Sequence, residues 1–247
     1  MSLIEQKAKF HTLDDWFLTP QGLNVAQAFL AELTPIQDLF HGETLLQLGS
    51  CGENSLYSKF RYPHKWIGAP YLSAKTALIT QLNRLPLDRD SVNCVIAPLT
   101  LEAFINKETL IDEIDRVLKP LGYVIFFGVN PFSLWGLWLR IANNTCFGNI
   151  QTKPKSVLSI KRAMTHRGYV QCHLSTFYYI PPIINKHWIE KFEILNEVGK
   201  MISPMPSGFY CFVVQKQQEN LIPLIKLSTN KNYLVSAVPP LQPTCRK

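Results

Sequence analysis

The sequence lacks the marks of several protein classes. Its six cysteines, at 51, 94, 146, 172, 211 and 245, never fall as C-x-x-C, and no paired histidines complete a zinc pattern. That excludes a finger- or ribbon-type metal site and leaves free thiols, as expected of a reducing, cytoplasmic setting. The opening residues, MSLIEQKAKFHTLDDW, are charged throughout and show no apolar leader core. No run of five or more like charges occurs, and no internal repeat. With 12 Gly and 17 Pro the chain is too poor in both for a low-complexity or collagenous protein. Residues 121–139 carry no charged side chain. However, Asn130-Pro131 interrupts them and YVIFFG is β-branched and aromatic, so a buried strand and a short helix account for the stretch better than a membrane span.

What is present suits a packed core. Of 247 residues, 47% are hydrophobic and 17% charged, with a net charge of +7. The basic residues are scattered, which argues against nucleic-acid binding. Three regions are expected. Residues 1–40 form an N-terminal helical segment packed on the core, and residues 41–217 form the main domain. Residues 218–247, with four Lys/Arg and one Glu, form a basic, Pro-containing and poorly ordered tail.

The main domain alternates strands and helices. Thr44–Leu48 is a short apolar strand running into Gly49-Ser50-Cys51-Gly52. Lys65–Ala69 and Val92–Ala97 are further strands, with the polar turn 85–91 between them. Residues 107–118 form the clearest helix. Leu110, Ile111, Ile114, Val117 and Leu118 make one apolar stripe, and Asp112, Glu113, Asp115 and Arg116 take the solvated face, with Asp112 and Arg116 as an i,i+4 pair. Lys119–Gly122 stops this helix, and Tyr123–Gly128 is a strand apolar on both faces. This alternation argues an open, mostly parallel α/β sheet, whose ligands bind outside the carboxyl ends of the strands.

Three stretches carry a family resemblance. LLQLGSCGEN (45–54) resembles motif I of class I S-adenosylmethionine-dependent methyltransferases. LPLDRDSVNCVIAPLTLEAF (85–104) resembles the polar turn and fourth strand of the type 11 methyltransferase group. LIDEIDRVLKPLGYVIFFG (110–128) is similar to that group's L-x-E-x-x-R-V-L-K-P-G-G helix and fifth strand. A narrower resemblance, to YafS-like bacterial methyltransferases, is carried by WFLTPQG (16–22), NPFSLWGLW (130–138) and GFYCFVVQK (208–216). The resemblance implies a Rossmann-like fold with a seven-stranded sheet in the order 3-2-1-4-5-7-6 and helices on both faces. The second helical crossover is shortened here, because 53–80 is brief.

It also implies S-adenosylmethionine as cofactor and methyl transfer to a small-molecule or lipid-like acceptor. Gly49, Ser50 and Gly52 would let the backbone approach the methionine and ribose. Pro70 follows the second strand, Gln81 and Leu82 would meet the adenine, and Pro98 and Thr100 follow the fourth strand. The family's usual acidic residue before the first glycine is Gln47 here, and KWIGAP offers no ribose-binding carboxylate. Asn130, Ser133 and Trp135, after the fifth strand, are the substrate-loop candidates; no catalytic base is assigned. Several residues have a second reading. Thr100 and Ser133 also suit helix N-caps. Residues 134–140 suit core packing, a hydrophobic pocket, a membrane-surface helix or a partner interface. Two other functions stay open: a degenerate methyltransferase-fold binding or scaffold module without catalysis, and an RNA-modifying or RNA-binding protein.

Overall fold

The computed structural model describes residues 2–52, 54–104, 106–142, 145–147, 152–183, 186–192 and 206–218. The basic tail beyond 218 lies outside these residues. Seven strands form one sheet in the order β3-β2-β1-β4-β5-β7-β6, as the resemblance implied. The strands are β1 (Thr44–Leu48), β2 (His64–Ala69), β3 (Leu78–Ile79), β4 (Val92–Pro98), β5 (Leu118–Val129), β6 (Tyr169–Phe177) and β7 (Phe209–Lys216). Pairings among β1 to β5 are parallel, while β7 runs antiparallel between β5 and β6. The flanking helices are α1 (Leu3–Phe17), α2 (Pro20–Leu33), α3 (Thr100–Ala103), α4 (Lys107–Val117), α5 (Leu134–Ile141), α6 (Val157–Thr165) and α7 (Lys186–Phe192). The architecture is the Rossmann-like fold of class I methyltransferases.

The crossovers on the β1 side are more reduced than the sequence suggests. Among the described residues, β1 and β2 are joined by a single 3-10 turn, Leu56–Lys59, and β2 and β3 by a loop without helix. The N-terminal helices cover the sheet instead. Ser2 and Glu5 cap α1 reciprocally, and Thr19 with Pro20 opens α2. The α1–α2 corner closes tightly: a Cβ on Gly22 would sit 2.1 Å from the Trp16 carbonyl oxygen. Phe29 of α2 stacks on Phe127 of β5 at 4.3 Å and meets Phe177 and Phe209 edge-on.

Two local expectations are corrected. β5 begins at Leu118, opposite Val92, and Lys119–Gly122 belongs to the strand, with Leu121 at φ 63° where the ladder shifts register. The polar face of α4 stays partly solvated, with Asp112 exposed, but its side chains are also engaged by neighbouring segments and the expected i,i+4 pair does not form. Arg116 pairs with Glu113, not Asp112, because both reach the turn after β3. Glu113 accepts from the Leu85 amide at 2.6 Å, and Arg116 donates to the Leu85 and Leu87 carbonyls at 2.9 and 2.8 Å. Asp112 pairs with Arg167, and the Asp115 carboxylate accepts from the Tyr169 hydroxyl at 2.8 Å.

Phe29 joins the N-terminal helices to the sheet, so Phe29→Ala should lower unfolding free energy by about 3–5 kcal/mol. Urea denaturation followed by circular dichroism measures this.

Candidate functional site

The loop after β1 bends through left-handed backbone, with Gly49 at φ 95°, Cys51 at 52° and Gly52 at 59°. Gln47, at the position expected to be acidic, binds this loop from within. Its amide nitrogen donates to the Gly49 and Asn54 carbonyls at 3.0 and 3.2 Å, and its oxygen accepts from the Leu56 amide at 3.0 Å. Only an amide both gives and takes these bonds, and a carboxylate could not. Residues 49–52 are all buried.

Helix α1 covers them. Asp14 accepts from the Ser50 hydroxyl at 2.8 Å, from the Gly52 amide at 3.0 Å, and from the Tyr71 hydroxyl. Burial pushes its carboxyl up, opposed by the hydrogen bonds from Tyr71, Gly52 and Ser50. Phe10 lies against Gly49, where an added Cβ would be 3.3 Å from its ring. On Gly52 a Cβ would meet Phe17 at 2.8 Å and the Asp14 carbonyl oxygen at 2.9 Å. Both glycines therefore serve the close approach of α1. Cys51, buried beneath the helix with its thiol pushed well up by burial, is no nucleophile.

The same helix reaches the other loops at the carboxyl edge. Gln6 accepts from the Leu82 amide at 3.0 Å and donates to Asn83 at 2.5 Å. Lys9 donates to the Ala103 carbonyl at 2.8 Å. Gln81 is half-buried and forms a bridge with Arg84, while Pro70 is buried at the end of β2. Thr100 is not an N-cap, since Leu99 holds that position without a side-chain bond. Its hydroxyl donates to the Leu48 and Pro98 carbonyls at 3.0 and 3.2 Å, tying the ends of β1 and β4 together. The structure thus brings Gly49, Ser50, Gly52, Leu82, Pro98 and Thr100 to one edge of the sheet. Ser50, Gly52 and Leu82 bond α1 there, and Thr100 bonds the strand ends.

The substrate-loop candidates hold the chain together. Asn130 donates to the Ser207 carbonyl at 3.1 Å, Ser133 caps α5 by accepting from the Gly136 amide at 3.2 Å, and buried Trp135 donates to the Ile180 carbonyl at 2.7 Å. Asn130 is held by these bonds, while Ser133 and Trp135 also line a cavity of about 430 Å³ between α5 and Tyr178–Pro181. The outer face of α5 exposes Leu134, Leu137 and Ile141. Among the described residues no helix is long and apolar enough to cross a membrane.

One residue at this edge has no counterpart among the sequence candidates. Glu102 of α3 is 1% exposed. Its Oε1 accepts from the Val129 amide at 3.1 Å, and its Oε2 has no hydrogen-bond partner among the described residues. Burial raises its carboxyl to about 7, against the pull of Val129 and Lys155. The signal in the sequence was an acid inside the apolar run APLTLEAF after β4. Glu102 lines a cavity of about 440 Å³, shared with Lys9, Phe104, Leu139, Thr152 and Lys155.

Comparisons with known proteins agree with the fold. A family model described as a methyltransferase domain matches residues 67–126, from β2 into β5, and so does not include the glycine loop. A search of curated protein sequences returns no match. Among solved structures, an S-adenosylmethionine-dependent methyltransferase of Thermotoga maritima aligns at 17% identity over 84% of this chain and 100% of its own, with a TM-score of 0.57. One from Archaeoglobus fulgidus aligns at 15% identity over 77% of this chain and 94% of its own, at 0.53. The [4+2]-cyclase SpnF aligns at 14% over 78% of this chain and 80% of its own, at 0.51. Identities this low speak for the fold alone.

Glu102 makes stability depend on pH. In the acid range both folded and unfolded chains hold it neutral. As pH rises to about 7 the unfolded chain ionises it while the folded chain keeps the proton, so stability falls. Glu102→Gln should therefore raise unfolding free energy by roughly 2–3 kcal/mol at about pH 8 and change it little at about pH 4. Chemical denaturation of both proteins across pH measures the difference.

Proposed function

We propose that this chain is an S-adenosylmethionine-dependent methyltransferase, of the YafS-like kind and cytoplasmic, acting on a small-molecule acceptor, with a cofactor groove that α1 closes. The observation supporting it is the sheet order β3-β2-β1-β4-β5-β7-β6 with a left-handed glycine loop directly after β1. The methyltransferase-domain match over 67–126 adds to it. With α1 docked the cofactor does not fit. Ser50, the Gly52 amide and the Leu82 amide, which would meet it, bond Asp14 and Gln6, and the loop is buried. Opening the groove therefore requires α1 to leave, and apparent cofactor affinity falls with the fraction of molecules that are open.

A second reading rests on the same contacts. If α1 stays in place permanently, the chain is a methyltransferase-fold binding module whose own helix stands where a cofactor would.

Titration calorimetry separates the two. Asp14→Asn loses the charge that holds Ser50, Gly52 and Tyr71, and should destabilise the fold by about 1.5–3 kcal/mol. On the first reading it should also tighten S-adenosylmethionine and S-adenosylhomocysteine binding about ten-fold over wild type. No heat at millimolar cofactor with either protein, both folded by circular dichroism, would exclude the enzyme and leave the module.

A further inference from the structure

We propose that the outer face of α5, with Phe132 before it, is a docking surface for an anionic lipid membrane. Its occupancy is read without cofactor or acceptor, so its failure would leave the methyltransferase reading untouched.

Helix α5 carries apolar residues on both sides. Its inner side buries Trp135 and Leu139 against the core. A helix at the surface then turns polar side chains to water. Here Leu134, Leu137 and Ile141, at i, i+3 and i+7, form an exposed stripe, with Ile141 70% exposed. Phe132, in the turn leading in from β5, is 81% exposed. Phe132, Leu134 and Leu137 line one cavity, which makes them neighbours in a single patch. Single exposed apolar residues are ordinary, but four together on one short segment mark an interaction surface.

The charge beside the patch is cationic. From 116 to 189 the sequence holds nine Lys/Arg and no Asp or Glu. Arg140 in the last turn of α5 and Lys153 before α6 are both exposed, and they line one hollow with Leu139. The acid in that lining, Glu102, is buried. On the other flank of α5, Asp15 shares a hollow with Trp138 and is hydrogen-bonded to His11 at 3.0 Å. The cationic flank is therefore the one at Arg140.

Apolar side chains beside cations match hydrocarbon beneath anionic headgroups. The stripe would enter the acyl boundary while the long stems of Arg140 and Lys153 reach up to the phosphates. A second copy fits less well, since a two-fold contact would set the same cations against one another. A protein partner would need a pocket for the protruding Phe132 ring, whereas a fluid lipid layer needs none. Among the described residues no helix is long and apolar enough to cross a membrane, so the contact is with its surface. The face lies at the carboxyl edge of the sheet, because α5 follows the end of β5, and the glycine loop opens at that edge too.

Sedimentation of the full chain with phosphatidylcholine vesicles, with or without phosphatidylglycerol as about a third of the lipid, tests the proposal. Anionic vesicles should bind at least about ten-fold more tightly than neutral ones. Phe132→Ser together with Leu137→Ser leaves the net charge at +7 and should weaken that binding about ten-fold or more. Arg140→Glu should weaken it several-fold more than Lys59→Glu, the same charge change in the connection between β1 and β2. All four positions are exposed, so the variants should fold as the wild type does by circular dichroism. The proposal is overturned if anionic vesicles do not bind, if neutral ones bind as tightly, or if Arg140→Glu and Lys59→Glu act equally. It is also overturned if the paired serine variant binds as wild type does, which would assign the attraction to net charge alone. Light scattering covers the remaining occupant: a dimer that the serine variant dissolves, without vesicle binding, would place a second copy on this face instead.

Discussion

A single carboxylate anchors the helix that closes the candidate groove. Asp14 is buried, and its oxygens collect the Ser50 hydroxyl, the Gly52 amide and the Tyr71 hydroxyl. A charge taken out of water is tolerated only when its lone pairs are met, and here the loop after β1 and the segment after β2 meet them. The cost of leaving that carboxylate unpaired is what fixes α1 over the sheet edge. With α1 in place, α2 follows through the tight corner at Gly22, and Phe29 reaches the aromatic cluster on β5, β6 and β7.

This arrangement gives one helix two duties. Gln6, Phe10 and Asp14 recur every fourth residue and form the face of α1 turned to the glycine loop and to Leu82. Lys9 bonds the Ala103 carbonyl and lines the Glu102 cavity. The groove and the cavity are thus separated by the helix that touches both. Because the crossovers around β2 are reduced to a 3-10 turn and a loop, these helices cover ground that helical crossovers would otherwise take.

The stretches that resemble methyltransferases most closely turn out to hold structure. In LIDEIDRVLK, Glu113 and Arg116 clasp the backbone of the turn at Leu85 and Leu87. Such a clasp explains why these residue types stand at this spacing without any appeal to chemistry. It also explains how a chain can keep the sheet order while its ligand edge changes, since the clasp lies away from that edge.

The sequence by itself determined an open, mostly parallel α/β sheet, and the order of its strands was what the family resemblance implied. The alternation of apolar strands with glycine and polar turns, and the stripe on α4, are local periodicities that backbone geometry enforces. Gln47 in place of an acid and the missing carboxylate after β2 were also readable, as departures from the pattern of the family that the sequence resembles. Tertiary structure alone decided what those residues do. Asp14 and Gln6 sit in a helix whose buried face mixes polar and apolar residues, and nothing in their spacing tells of partners at Ser50, Gly52 or Leu82, dozens of residues away. Glu102 reads as one acid in an apolar run until β5, with Gly128 lacking a side chain, closes around it. Hydrophobic pattern fixes which face of an element is buried; which polar groups then meet inside depends on distances that only the packed chain defines.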